Sequence, residues 1–389
     1  MLKTIIAHEV CEYIKSSRFM IGLGLIVTLV AVTTWININD YVQRQQDYLE
    51  AGHTDLPMDA AGGVYRPPHP LSILIQGKDR ELGDQLTVNH MGVFIQAMGY
   101  MGYWSQYSRF MSGFTAIDFA FIVRIVMSLL VVFMVHDRIA QEVAQGTLRL
   151  MMSNAVSRSQ VLLGKMMAGL GTITGLVLMA ALVAGLVAAV HPRQAIDRSL
   201  LSSLAGISLI SVLYLGVFLG LGLLVSTFLP RPSTALLVLL QLWVVGSVIY
   251  PQVGVLLAQK MIKTPDAQTL KQRKEPLDSD AARQQVDLDY NRELTAQVHL
   301  ARRICLLCPA VLYDRMVQRL ARTDIEDYDS FVTAAHQYCT EQQQSAFVYS
   351  GLGTPQTAHE MATCGSLLFL MAVLGLVTAF TLFLRMEVR

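Results

Sequence analysis

The chain is short of charge. Asp, Glu, Lys and Arg make up only 15% of its 389 residues, where a soluble globular domain carries roughly 25%, and that deficit excludes an ordinary water-soluble enzyme. Neither sign is in excess: 30 Lys and Arg face 29 Asp and Glu, for a net charge of +1, so nothing electrostatic draws this chain to nucleic acid. A phosphate-cradling G-x-x-x-x-G-K-[ST] loop is missing as well. The Gly-Lys pairs are Gly77-Lys78 and Gly164-Lys165, but Ser72 and Ser159 stand where the first glycine belongs, and Asp79 and Met166 follow the lysines. The chain has no ATP site of that kind. With no catalytic triad, paired-acid set or complete zinc pattern in view, no enzymatic activity, cofactor or metal of its own is expected. His299, His336 and His359 are isolated in sequence and read as surface or core residues.

What the chain has in abundance is apolar sequence, 53% of it, gathered in blocks close to the roughly 20 residues that cross a bilayer. Six blocks stand out, at 20–36, 118–135, 166–190, 200–229, 235–258 and 365–384. Lipid offers backbone groups no hydrogen-bond partner, and the blocks lack the alternation of barrel strands, so each reads as a transmembrane helix of an all-α integral membrane protein. Six crossings put 1–19 and 385–389 on one side. Lys3, Lys15, Arg18, Arg138, Arg149, Arg158, Lys165, Arg231, Arg385 and Arg389 fall there, while the short opposite loop 191–199 has Arg193 and Arg198. That bias makes the termini, the loop 136–165 and the turn 230–234 cytoplasmic.

Two long insertions, 37–117 and 259–364, are then extracytoplasmic. Both read as mainly helical, with Pro276 and Pro309 punctuating helix-forming stretches at 278–303 and 312–321 in the second. No A-x-A-like cleavage site follows the first block, which reads as a retained helix. Before it, Ile5, Ile6, Val10, Cys11 and Ile14 recur at helical spacing with Glu9, Glu12, Lys15 and Arg18 on other faces. This is either an amphipathic helix on the membrane surface or a plain, positively flanked lead-in to the first span.

The polar segment 136–165 carries the most information. Ile139, Val143, Leu148 and Met151 sit close to i, i+4 spacing, and Gly146 breaks the pattern after about two turns. Glu142, four residues before Gly146-Thr147-Leu148, is followed by Val156-Ser157-Arg158 and then by Gly164-Lys165 at the next span. This ordered set resembles the first cytoplasmic loop of permease subunits of ABC-2 type transporters, with Ala155 where that family usually has proline. Arg66-Pro-Pro-His-Pro-Leu-Ser-Ile-Leu-Ile-Gln-Gly77, and Cys308-Pro-Ala-Val-Leu-Tyr313 followed by Tyr328, Phe331 and Tyr338, are similar to segments of a subgroup with large extracytoplasmic loops, related to gliding-associated permeases.

The resemblance implies a multi-pass protein of the bacterial cytoplasmic membrane that exports a substrate with ATP and Mg held by a separate dimer of ABC ATPase subunits. Glu142, Gly146, Thr147 and Arg158 would form the coupling helix and turn that dock on that ATPase; the alternative for Glu142 is a solvated acid at the inner surface. A second permease subunit, identical or paralogous, would complete twelve spans. A periplasmic partner on the insertions and a non-transporting subunit that relays ATPase motion to such a partner are further expectations.

Other residues leave alternatives open. Asp118, Arg124, Gln241 and Tyr250, with Pro251, are candidate pathway residues, because ionisable and polar groups are expensive in lipid; a snorkelling Arg124 or ordinary helix packing would also account for them. Gly171 and Gly175, and Gly216 and Gly220, permit close helix approach within or between subunits. Cys305, Cys308, Cys339 and Cys364 allow two disulfides, or remain buried thiols. His90, Met91, Met98, Met101 and Met111, interleaved with Tyr100, Tyr103, Trp104 and Tyr107, suit an interfacial helix better than a Cu(I) site.

Overall fold

The computed structural model describes residues 2–52, 62–77, 79, 85–88, 117–147, 157–191, 198–263, 269, 272–273, 286, 289, 293, 296–340, 349, 351 and 354–385. Six helical runs among them are long and apolar enough to cross a membrane: Ser17–Glu50, Phe119–Gln145, Arg158–Val190, Ser202–Phe228, Pro232–Met261 and Ala358–Arg385. Helix α1 (Leu2–Lys15) precedes the first of them and α2 (Ser17–Gly52) contains it. α2 continues well beyond the expected end at Ile36. Hydropathy marks where the bilayer stops, not where the helix does: the polar continuation is built of helix formers, and Arg44 pairs with Asp40 one turn earlier at 3.1 Å.

The first insertion is not wholly helical. Strand β1 (Gly62–Tyr65) pairs antiparallel with β2 (Gln85–Val88), Gly62 opposite Val88 and Tyr65 opposite Gln85. Between them the Arg66–Gly77 segment turns inward, and Leu71, Ser72, Ile73, Leu74, Ile75 and Gln76 are all buried. Asn37 donates to the Ile73 carbonyl at 3.1 Å and accepts from Gln76 at 2.9 Å. The Met- and aromatic-rich stretch from His90 to Met111 lies outside the described residues.

The second span opens with α3 (Phe119–Phe121), widens to a π-helical stretch, Ile122–Met127, and closes as α4 (Ser128–Val135). After α5 (Ala140–Gln145) come α6 (Arg158–Val190) and α7 (Arg198–Phe228). The fifth span is α8 (Pro232–Val244), a second π-helical stretch, Val245–Ile249, and α9 (Tyr250–Met261). In the second insertion α10 (Pro309–Ala321) and α11 (Ile325–Thr340) follow a tight turn at Cys305–Leu307, and α12 (Thr354–Arg385) is the last span. Proline at the first position of α10 suits a helix start, where its missing N–H has no partner to lose.

The fourth span is the centre of the bundle and the fifth its flank: 72% of the most apolar window of the former is buried inside the protein, against 22% for the latter. Contacts sort the helices into two ends. α1, the start of α2, α5, the start of α6, and the ends of α7 and α12 share the end that carries both termini, where Arg158 reaches the Leu384 carbonyl at 3.4 Å. The insertions gather at the other end. There the buried Arg66 guanidinium binds Asp79 at 3.2 Å and Asp327 at 3.1 Å, joining the first insertion to α11. Burial, with Arg322 and Arg66 nearby, lowers the His69 pKa to about 4 despite Asp327, so its neutral Nδ1 accepts from the Leu71 amide.

α7 and α12 make the most extensive helix pair. They can approach because Gly220 faces Gly375: a Cβ at Gly220 would stand 3.1 Å from the Leu376 nitrogen and 3.2 Å from the Gly375 carbonyl carbon. Gly216 and Gly220 thus serve packing inside the chain, whereas a Cβ at Gly171 or Gly175 meets nothing within 4 Å. Gly220→Leu is expected to lower stability by about 1–3 kcal/mol through overpacking against backbone that cannot yield. Gly171→Leu should leave the thermal midpoint of the purified chain unchanged, and melting both variants in one detergent checks the contrast.

Candidate functional site

The loop between the second and third spans builds one short helix and holds it on several sides. Ala140, Gln141, Glu142, Val143, Ala144 and Gln145 favour a helix. Ile139 has no side chain able to cap it, and the cap comes instead from the fourth span: the buried Ser226 hydroxyl accepts from the Ile139 and Ala140 amides at 3.0 and 3.1 Å. Gly146 ends α5 with φ of 71°, the left-handed conformation that glycine adopts without a Cβ clash. Ala140 is buried and Val143 packs on the core, while Gln141, Ala144, Gln145, Gly146 and Thr147 face outward.

Glu142 is not the free acid of a docking surface. It accepts from Lys165 Nζ at 2.7 Å, and the same ammonium donates to Glu9 at 2.6 Å. Lys165 is 1% exposed and Glu9 4%. A charge so buried is tolerated only when paired, and removing one member of such a pair typically costs about 3–5 kcal/mol. Gly164 explains the close approach, since a Cβ there would lie 2.6 Å from Ile5 Cγ2. The Gly164-Lys165 dipeptide therefore gives α1 both a seat and an anchor. Leu148, Ala155 and Val156 lie outside the described residues. Arg158 is exposed at the start of α6, on the carbonyl end of α12.

α1 packs part of its expected apolar stripe, Ile6 and Val10, against the core, but polar residues share that face. Its buried residues are Glu9 and Tyr13, and Ile14 is 48% exposed. Acids face the protein because their partners are there: Glu12 meets Arg138 at 3.1 Å, and the Arg138 guanidinium lies 4.0 Å from the centre of the Tyr13 ring. Such a cation–π contact contributes about 0.5–2 kcal/mol. Arg18 pairs with Asp137 at 3.0 Å, although this exposed pair adds little. Burial raises the Tyr13 hydroxyl well above the usual phenol range, with Arg138 opposing it.

Three of the four candidate pathway residues are engaged within the fold. Asp118 caps α3, accepting from the Phe121 amide at 2.7 Å and from the Gln76 amide at 3.1 Å. Arg124, in the first π-helical stretch, pairs with Asp314 of α10. Its carbonyl accepts from the Tyr214 hydroxyl at 3.0 Å and from Ser128, which in turn accepts from Trp243 Nε1 at 2.8 Å. Tyr250, just after the second π-helical stretch, donates to the Ile304 carbonyl at 3.0 Å. Gln241 alone of the four stands exposed, on the flank of α8.

Of the two alternatives open to the exterior cysteines, Cys305, Cys308 and Cys364 take the second and are buried free thiols; the Cys339 side chain lies outside the description. Cys308 donates to the Gly246 carbonyl at 3.1 Å inside the second π-helical stretch. Cys305 abuts Gly254 of α9. Tyr313, one turn along α10, is fully buried, stacks on Tyr214 with ring centres 4.7 Å apart and meets the Ser211 hydroxyl at 3.2 Å. The CxxC pair therefore seats the second insertion on the fifth span.

Glu9, Ser226 and Asp314 escaped the sequence reading. Glu9 had a signal, lying one turn from both Ile5 and Tyr13 and so on the stripe that packs. Asp314 follows the buried Leu312-Tyr313 and had no visible partner 190 residues upstream. If Arg124–Asp314 is a clasp rather than a ligand site, Arg124→Gln should cost about 1–3 kcal/mol by taking the guanidinium away from the Asp314 carboxylate. Adding Asp314→Asn should recover part of that loss. A double-mutant cycle on thermal midpoints measures the coupling.

The family model described as ABC-2 family transporter protein matches residues 3–388 of the chain. None of the curated proteins matches it.

Proposed function

Since the chain belongs to the ABC-2 family of transporter proteins and is a multi-pass membrane permease working with an ABC ATPase, we propose that it forms half of an exporter whose ATPase docks on the outward face of α5. ATP and Mg are held by a separate pair of ATPase subunits. A second permease subunit completes the pathway, and the end carrying the termini lies in the cytoplasm of a bacterial inner membrane. Arg18, Arg138, Arg158, Lys165 and Arg231 at that end support this orientation.

One observation carries the docking role: α5 is a rigid projection. Ser226 of the fourth span fixes its start, Lys165 of the third fixes its middle, and its outward side is left to small or uncharged residues, Gln141, Ala144 and Gln145. A load applied to that side reaches two spans through hydrogen bonds rather than through a flexible loop. Glu142 contributes by holding the helix, and Gly146 and Thr147 by shaping its end, where the Thr147 hydroxyl donates to the Glu142 carbonyl at 3.3 Å.

A second reading has its own support. Arg124 and Tyr250, the residues best suited to meet a substrate, are bonded to the second insertion through Asp314 and Ile304. Movement of spans two and five would then be delivered to the insertions, as in a subunit that relays ATPase motion to an extracytoplasmic partner. Transport requires Arg124 to exchange Asp314 for an anionic ligand during the cycle, whereas relay requires the pair to stay closed throughout.

Ala144→Trp tests the docking face. It should weaken ATPase association by tenfold or more, the ~1.4 kcal/mol that a blocked contact readily costs, while the melting temperature of the permease alone stays within about 1 °C, since the site is exposed. Copurification and stimulated ATP hydrolysis in nanodiscs measure it, and undiminished association would refute docking on α5.

A further inference from the structure

We propose that Lys165 is a positioning residue that makes α1 a moving part of the coupling device, locking it to α5 so that ATPase-driven displacement of α5 carries α1 with it. This rests on the docking reading above and goes beyond it, because α1 makes no part of the docking face. The clasp joins three elements through one ammonium: Glu9 of α1 at 2.6 Å, Glu142 of α5 at 2.7 Å, and Lys165 itself on α6. Nothing softer intervenes. At 1% exposure Lys165 has no water to replace either partner, so separating α1 from α5 means stranding a charge.

The rest of the contact reinforces the lock without saturating it. Arg138, in the turn that leads into α5, holds Glu12 and covers Tyr13, so α1 is gripped again about one turn after Glu9. Gly164 lets α1 lie against α6 at the same level. Glu9 Oε2 and Glu142 Oε2 are buried without a hydrogen-bond partner among the described residues. Two carboxylates thus share one cation, and neither can leave without the other gaining it. α1, which its residue pattern alone leaves as either a surface helix or a lead-in to the first span, is mechanically continuous with the loop proposed to meet the ATPase.

The test uses the complex with its ATPase in nanodiscs and reads two distances by electron spin resonance, before and after trapping with ATP and orthovanadate. Cys11 is exposed on α1 and takes one label. Leu257→Cys, exposed on α9 in the fifth span and outside the body that holds α1, α5 and the start of α6, takes the reference label, with the other cysteines replaced by alanine. A second pair uses Thr147→Cys, exposed just past the end of α5 and clear of the docking side formed by Gln141, Ala144 and Gln145, with the same reference in a Cys11→Ala background. Trapping should shift both distances by more than about 2 Å, the scale of helix shifts in switching proteins.

Lys165→Met with Glu9→Gln removes the link without burying a new charge on α1, and the Glu142 side chain, 21% exposed, can turn to water. In that variant the shift at residue 147 should persist and the shift at Cys11 should disappear. If the double variant does not insert, Glu9→Gln alone keeps the side-chain shape, removes its charge and should diminish the Cys11 shift. A clasp that only stabilises the fold would lower the melting temperature yet leave both shifts intact, which overturns the proposal. A still α1 beside a moving α5 overturns it while sparing the docking reading; two still helices refute both.

Discussion

One ammonium group explains more of this molecule than any apolar contact. Lys165 enters the third span where water does not follow, and it is stable there because Glu9 and Glu142 surround it. The consequences run outward from that point. α1 must lie against α6 so that Glu9 can reach, which requires Gly164 beside the lysine. α5 must sit close enough for Glu142 to share the charge, which settles its height in the bundle. Ser226 can then cap its first turn. Apolar packing would allow these helices to slide, because lipid competes for the same surfaces on nearly equal terms. A buried ion pair does not slide, because every intermediate position leaves a charge stranded.

The far end is organised by the same physics with different residues. Arg66 closes on Asp79 and Asp327, Arg124 on Asp314, and Arg302 binds Asp324 at 2.9 Å and also Glu326. Burial would push the Glu326 carboxyl up, but Arg302, Arg319 and Arg315 outweigh it and hold it below the usual range. Both π-helical stretches lie toward this end, in spans two and five. A π turn loosens the regular hydrogen-bond ladder, and here neighbours use the loosened carbonyls: Tyr214 and Ser128 bond to that of Arg124, Cys308 to that of Gly246.

The six spans and the helical class were legible because hydrophobicity in a membrane protein is a one-dimensional signal, set by bilayer thickness. Their ends were less so. α2 runs on past Ile36 since a polar helix is still a helix, and β1 pairs with β2 in an insertion whose composition suggested helix. The segment 136–165 was legible as an ordered motif, but the bond Glu142 makes was not: an acid near a membrane surface looks the same whether it meets water or a lysine 23 residues away. Glu9, Ser226 and Asp314 depend on partners about 90 to 190 residues distant, which no local pattern encodes. The cysteines stayed ambiguous for a related reason. An even count on a shared side of the membrane permits bridges as well as free thiols, and only the fold shows Cys308 turned to a carbonyl of the fifth span.

Charge scarcity then takes on a mechanical meaning. The described ion pairs concentrate at the two ends of the bundle and make two stiff bodies. One comprises α1, α5 and the adjoining ends of the third and fourth spans; the other comprises the insertions with α10. The second span belongs to both, through Asp137 and Arg138 at one end and Asp118 and Arg124 at the other. Between them its side chains are almost wholly apolar and its helix contains a π turn. A displacement imposed at α5, as the docking proposal has it, would travel along span two, whose soft point, the π-helical stretch, contains Arg124 itself, one half of the clasp with Asp314. The two proposed readings, moving a substrate or moving a partner, part at that clasp, because it is where the body that holds α5 meets the body built on the insertions.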